Sequence, residues 1–257
     1  MKPKPLVFVR SPSSNLINCE LTHLDRQPMD LPRLLKQHQE YVKILQLLGC
    51  EVSYLPELEN ADGVFVEDTA LILEEIAVLT RPGAASRQSE VESVESALRL
   101  HRETIFRIHA PATVDGGDLL CIGKILYVGQ SSRTNREGYR QLAEYLTPFN
   151  YRVQAIAVTK CLHLKTAVSH LGRSCVLLNP AWVDAGHFSE FTIVEVDPGE
   201  PEAANVLKIG DTLVIAASAP RTALRLRQAG FDVVEADITE IAKAEAGLTC
   251  LSLVLGN

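Results

Sequence analysis

Long hydrophobic runs are missing from this sequence. The apolar run in MKPKPLVFVR is four residues long before Arg10 interrupts it, so neither a signal peptide nor a membrane span can be drawn, and a cytoplasmic protein is the expectation. Paired cysteine motifs are missing too. The six cysteines, at 19, 50, 121, 161, 175 and 250, are even in number but scattered without CxxC spacing. That disfavours a disulfide framework and a structural zinc site, and most of these thiols are expected to be reduced, buried and inert. Basic charge is scarce, with 25 Lys and Arg against 32 Asp and Glu for a net charge of −7. Without a basic stripe to neutralise phosphates, nucleic acid is excluded as the main partner, whereas a small cationic ligand is easily accommodated. No Pro, Gly or Ser-rich stretch is long enough to be a linker, so residues 1–257 are expected to form a single domain.

What is present is a repeat of hairpins. TALILEEIAVLT (69–80), GDLLCIGKILYVG (117–129), TAVSHLGRSCVLLN (166–179) and ANVLKIGDTLVIAAS (204–218) read as paired strands turning at Glu74-Glu75, Gly123-Lys124, Gly172-Arg173 and Gly210-Asp211. Aligning first strands on Leu71, Leu119, Val168, Val206 and Leu251 gives steps of 48, 49, 38 and 45 residues. Amphipathic stretches such as 89–103, 135–146 and 220–231 follow hairpins, and each leads to a short strand candidate. The unit is hairpin, helix, strand. The fifth copy stops after one strand, and the unpaired strand KPLVFVRS (4–11) can complete it. The fold class predicted is α/β, a five-bladed α/β propeller whose ring is closed by its N- and C-terminal strands, a closure that removes exposed sheet edges.

In that frame the residues just before each first strand share one place near the common axis. They are Glu67-Asp68, Asp115-Gly-Gly-Asp118, His163 and Cys250, while the fourth copy, EPEAANV, offers nothing obvious. Each alone has a bland reading: a solvated loop, turn carboxylates beside glycines of positive φ, a core histidine, a structural thiol. A shared phase of the repeat is not what independent accidents produce. A thiol with an imidazole and a carboxylate is the generalised nucleophile, base and orienting group. Extra carboxylates would repel an oxyanion but suit an electrophilic carbon that is itself cationic, and a planar guanidinium matches paired carboxylates.

FVEDTALI, RPGAASRQSE, DGGDLL, VGQSSRTN, CLHLKTAV and GLTCLSL, in this order across nearly the whole chain, resemble the dimethylarginine dimethylaminohydrolases of the guanidine-modifying, amidinotransferase-like superfamily. The resemblance implies the five-bladed propeller and hydrolysis of a methylated arginine to citrulline. It implies that Cys250 attacks the guanidinium carbon, that His163 protonates the departing amine and then activates water, and that Asp115 orients His163 or engages the guanidinium. It puts Asp68 and Glu67 on the guanidinium nitrogens, Asp62 and Leu21 at the amino-acid end and entrance lid, and Arg87 and Arg133 on the substrate carboxylate. Residues 13–24, like Gly83, read as a loop that is either a connection or a lid over the channel mouth. No metal or organic cofactor is implied, and zinc contact with Cys250 would be inhibition. A homodimer is compatible with the sequence, which does not fix oligomeric state. Two rivals stand beside this reading. One is an arginine deiminase, whose pattern after the histidine is His-x-Asp where this chain has His163-Leu164-Lys165. The other is a non-catalytic arginine-binding propeller, which would have no need of the thiol.

Overall fold

The computed structural model describes residues 4–158 and 160–256. The chain begins with β1 (Leu6–Val9), α1 (Leu31–Leu47) and β2 (Glu51–Tyr54). It then builds β3 (Ala70–Ile72), β4 (Ala77–Leu79), α2 (Val91–Leu98) and β5 (Ile105–Arg107), and next β6 (Leu119–Ile122), β7 (Ile125–Gln130), α3 (Arg136–Leu146) and β8 (Arg152–Ala157). The short α4 (Leu164–Ala167) leads into β9 (Val168–Gly172), β10 (Cys175–Leu178) and β11 (Thr192–Glu195). Finally come β12 (Leu207–Ile209), β13 (Thr212–Ala216), α5 (Pro220–Gln228), β14 (Asp232–Ala236) and β15 (Leu253–Leu255).

These strands form five three-stranded sheets, each with an antiparallel pair and a third strand parallel to its middle one; in four of them the pair is a hairpin. The parallel step needs a crossover, and the helices supply it. Ladder hydrogen bonds stay within each sheet, so the ring is one of separate blades rather than a continuous barrel. Neighbouring first strands touch, β15 with β3, β6 with β9 and β9 with β12, which places them innermost. Inner and middle strands such as LLCI, CVLL and TLVIA are buried on both faces and read as near-continuous apolar runs. Outer strands face solvent on one side and carry charge, as in β2, β8, β11 and β14.

The fifth blade closes as expected. Leu6 pairs with Leu255, Val7 with Val254 and Phe8 with Leu253, while β2 adds on the other side of β1. Three details depart from the sequence reading. Leu251 lies in a 3-10 turn, and the last strand starts at Leu253. The third hairpin turns at Arg173-Ser174, one residue later than expected; both adopt positive φ, and the register shifts beside Cys175. That third blade also has only a 3-10 turn, Ala185–Phe188, where the others have a helix. Among the described residues, no helix is long and apolar enough to cross a membrane.

Helix α1, not singled out in the sequence, braces the site from below. Asp30 caps it by accepting from Arg33 N–H at 3.1 Å, Pro32 sits in its first turn, and Leu34, Gln37, His38, Tyr41, Val42 and Leu45 form its buried face. Tyr41 Oη donates to the Leu248 carbonyl at 3.1 Å and lies 2.8 Å from Ser252 Oγ, clasping the turn that carries Cys250.

Candidate active site

Each inner strand except β12 is entered through a short helical turn, and the reactive side chains sit on those turns. Glu67 and Asp68 lie in the 3-10 turn Val66–Thr69, Asp115 caps the turn Gly116–Asp118, His163 precedes α4, and Cys250 lies in the turn Thr249–Leu251. Cys250, His163, Asp115, Asp68, Asp62, Arg87 and Arg133 line one cleft whose cavity is only ≈20 Å³.

His163 Nε2 lies 3.0 Å from Asp115 Oδ2, and the other Asp115 oxygen accepts from Gly83 N–H at 2.8 Å. Asp68 Oδ1 accepts from Gly117 N–H at 2.9 Å, and its Oδ2 takes Arg87 Nη1 at 2.7 Å. Burial works against charge on this imidazole, but Asp68, the Asp115 hydrogen bond and Asp118 outweigh it and push His163 up to about 9. Burial likewise opposes ionisation of Asp68, yet His163 and Arg87 hold it down at about 2. The Cys250 thiol is pushed well above its ordinary range by burial and then by Glu67 and Asp68. Its sulfur accepts from Gly247 N–H at 3.4 Å.

The two glycines of the DGGD segment are there for close approach, since neither has positive φ. A Cβ on Gly117 would stand 2.5 Å from His163 Nδ1, and one on Gly116 would stand 2.0 Å from the Glu67 carbonyl oxygen. Gly83 is similar, with the Arg133 backbone 2.5 Å from a would-be Cβ. These contacts bring the first two turns and the histidine within hydrogen-bonding reach.

Not every sequence-assigned residue faces the cleft. Glu67 Oε1 accepts from Lys165 Nζ at 2.5 Å and Oε2 from Thr249 Oγ1 at 2.7 Å; burial raises its pKa and Lys165 opposes the rise. Both Glu67 and Lys165 belong to the wall of a separate ≈340 Å³ cavity among the inner strands, a wall that excludes Cys250 and His163. Arg87 is fully engaged by Asp68, Glu90 and the Asp62 and Phe65 carbonyls. Arg133 is half-buried and donates to Thr22 Oγ1 at 3.0 Å. Asp62 accepts from Glu20 N–H, at 3.1 Å to Oδ2. Leu21 packs on the apolar cluster that includes Leu248 and Cys250.

The 13–24 segment is tied across the cleft by one carboxylate: Glu245 accepts from the backbone N–H groups of Thr22 (2.8 Å), His23 and Leu24 (2.5 Å). Sequence reasoning missed this latch. It placed Asp118 near the axis but missed what it does: the residue is fully buried and raised by that burial to about 6. Its oxygens accept from Leu164 N–H at 3.0 Å and Ser131 Oγ at 2.6 Å, fixing the residue after His163 to the loop that carries Arg133. Glu90, three residues after Arg87, and Arg10, whose guanidinium holds the Pro56 and Gly63 carbonyls, extend the buried charges away from the cleft. The fourth copy is not silent: Asn205 bonds Thr249 Oγ1 and N–H and the Lys165 carbonyl, stapling two of the turns. The i,i+3 spacing of Arg87 and Glu90 was the one signal of these in the sequence.

Asp68, Asp115 and His163 offer three ligand atoms within 4.8 Å of one another. Arg87 and Gly83 already occupy the carboxylates, and a metal needs neutral imidazole where this one is held as a cation. The donor set suits a proton relay better than an ion. All six cysteines are free, five buried and Cys121 half-buried.

Separate blades around an axis bearing one thiol, one imidazolium and several carboxylates define the guanidine-modifying α/β-propeller class. The family model for arginine deiminase matches residues 60–203. The dimethylarginine dimethylaminohydrolase of Streptomyces coelicolor is 38% identical over 255 residues, covering 98% of each chain, and that of Pseudomonas aeruginosa 34% over 250 residues, covering 96% of this chain and 98% of its own. A solved structure of the Pseudomonas aeruginosa enzyme, a cysteine-to-serine variant complexed with citrulline, superposes with a TM-score of 0.93 at 33% identity, covering 97% of this chain and 98% of that one. The chain belongs to the dimethylarginine dimethylaminohydrolase family.

Proposed function

We propose that the protein hydrolyses Nω,Nω-dimethyl-L-arginine, and Nω-monomethyl-L-arginine, to L-citrulline and the corresponding methylamine through a covalent intermediate on Cys250. The observation that supports this most is that Cys250, the His163–Asp115 pair and Asp68 line one cleft. Burial and two carboxylates keep the free thiol protonated. A guanidinium brings positive charge into that field and favours the thiolate, the thiol proton leaving to solvent as substrate seats. Sulfur attacks the guanidinium carbon, the His163 imidazolium gives its proton to the dimethylamino nitrogen, and that C–N bond breaks, leaving a cationic amidino group on sulfur. The neutral imidazole takes a proton from water while the oxygen adds to the same carbon. The C–S bond then breaks, citrulline forms with loss of the hydroxyl proton to solvent, and thiolate and imidazolium are restored.

The alternative is deimination of unsubstituted arginine. The site supplies few acceptors for an unsubstituted guanidinium: Lys165 replaces the carboxylate that deiminases carry two residues after the histidine, and Glu67 has one oxygen taken by Lys165 and the other by Thr249, outside the cleft. Unsubstituted arginine then has N–H donors without acceptors, at a cost of about 1–3 kcal/mol, or roughly tenfold to a hundredfold in kcat/KM. Competition of the two substrates in one tube, read as citrulline and released amine, tests the assignment. Equal turnover of arginine would replace it with the deiminase reading. Cys250→Ser and His163→Ala should each abolish turnover with the fold retained, and activity within about tenfold of wild type would remove their roles.

A further inference from the structure

Beside the reaction cleft lies a second, larger cavity of ≈260 Å³. The two share a wall made by Leu162, Glu245 and Ala246. Leu162 immediately precedes His163, and Gly247, whose N–H meets Cys250 Sγ, also lines the larger cavity. Its origin lies in the repeat. Four inner strands are entered through a helical turn that brings reactive groups to the axis, whereas the segment before β12 forms no such turn and gives Glu202 and Asn205 to the cavity wall instead. The blade with no reactive group at the axis leaves room.

The charges of the cleft are arranged on one side of this room. Asp62, Asp68, Asp115, Arg87 and Arg133 line the cleft and not the cavity, whereas Leu162, Ala246 and Gly247 at the join carry no charge. Glu245, also at the join, is occupied by backbone N–H groups of the segment above. Unsubstituted guanidinium nitrogens are drawn to Asp68, and an alkylated nitrogen, with fewer donors to satisfy, is better placed against the uncharged Leu162 and Ala246 at the join. Cys161, Thr166, Trp182 and Ala242 continue the lining, with Lys160 and Glu202 as its further charged members.

We propose that this cavity receives the Nω-substituent of the substrate, and that the enzyme accepts Nω-alkyl groups substantially larger than methyl. The inference rests on the guanidine hydrolase reading and extends its substrate class. The space is many times the ~10–15 Å³ that a single water requires, so two methyl groups do not fill it.

The test is a substrate series on the intact protein: Nω,Nω-dimethyl-, Nω-propyl- and Nω-butyl-arginine, each read as citrulline released. The wild type should turn over the propyl and butyl substrates with kcat/KM within about tenfold of dimethylarginine. In Ala242→Phe, which puts a ring into the cavity from its lining, the ratio of butyl to dimethyl turnover should fall about tenfold or more. A wild type that hydrolyses dimethylarginine but loses more than about a hundredfold on propyl overturns the proposal and leaves the hydrolase reading intact. An unchanged ratio in Ala242→Phe also overturns it, because the substituent would then lie elsewhere. No citrulline from any of the three would remove the hydrolase reading itself. The wild-type series stands independently of whether the variant folds.

Discussion

Replacing Asp115 with asparagine removes a charge from the electrostatic core of the site at nearly constant volume. Although burial opposes the charge, the imidazolium of His163 persists to about 9 against an ordinary value of 6.5, because Asp68, Asp115 and Asp118 outweigh that burial. The difference corresponds to roughly 3 kcal/mol, the net by which three carboxylates exceed the opposing burial. With the amide oxygen of Asp115→Asn kept on Nε2, its NH2 group faces the Gly83 N–H that Oδ1 accepted from, a cost that does not vary with pH; at the imidazole the variant exchanges a charge-assisted hydrogen bond of ~1.5–3 kcal/mol for a neutral one of ~0.5–1.5 kcal/mol. The loss is about 1–1.5 kcal/mol, and His163 should titrate about one pH unit lower, at about 8. Imidazole NMR, with the His163 resonance assigned by its disappearance in His163→Ala, measures this directly. Stability supplies an independent sign. A folded-state value above the unfolded one gives stabilisation that is complete below about 6.5 and lost as pH rises through about 9. The deficit of Asp115→Asn from this source should be fully present at about pH 6 and vanish above about pH 9–10. A His163 titration that stays near 9, or a deficit that grows with pH, would refute the reasoning.

Gly117→Ala puts a methyl 2.5 Å from His163 Nδ1, and should cost about 1–3 kcal/mol of stability and at least ~100-fold in kcat/KM, by thermal melts and citrulline release. Glu245→Ala removes the acceptor of three consecutive N–H groups; amide exchange at residues 22–24 should accelerate at least about tenfold, and unchanged exchange would mean the segment is held elsewhere. Lys165→Met strips the buried Glu67 of its cation and should destabilise by about 3–5 kcal/mol near pH 8. Because burial already raises the Glu67 value, protonation relieves the unpaired charge, so that deficit should shrink on acidification; denaturant melts at two pH values decide the sign.

The blades were legible because each repeats one pattern, an apolar hairpin and an outer strand that carries charge, and because Asp68, Asp115, His163 and Cys250 occupy one phase of it. What escaped were relations that depend on the third dimension. Asp118 sits three residues from Asp115 in sequence, yet its carboxylate is spent on Leu164 and Ser131, in two other segments. Arg87 presents itself in sequence as a cation in a polar loop; burial among Glu90, Asp68 and two carbonyls is invisible there because only one partner is local. Gly116 and Gly117 looked like turn formers, and only the packed structure shows the carbonyl and imidazole that forbid a side chain. Glu245, at a left-handed position with φ 55°, bonds a segment more than 220 residues away.

Drawing the reactive groups from four different blades has a consequence for folding. The contacts that assemble the site span 48 residues for His163 with Asp115, 49 for Gly117 with Asp68 and 182 for Thr249 with Glu67. Such non-local contacts carry loop-closure entropy that must be met before they are rewarded, which slows folding. No single blade contains the thiol turn together with Asp68, Asp115 and His163, which enter from three other blades. Catalytic competence therefore waits on the assembly of four blades, and its recovery after denaturation reports that assembly more directly than any spectroscopic measure of secondary structure.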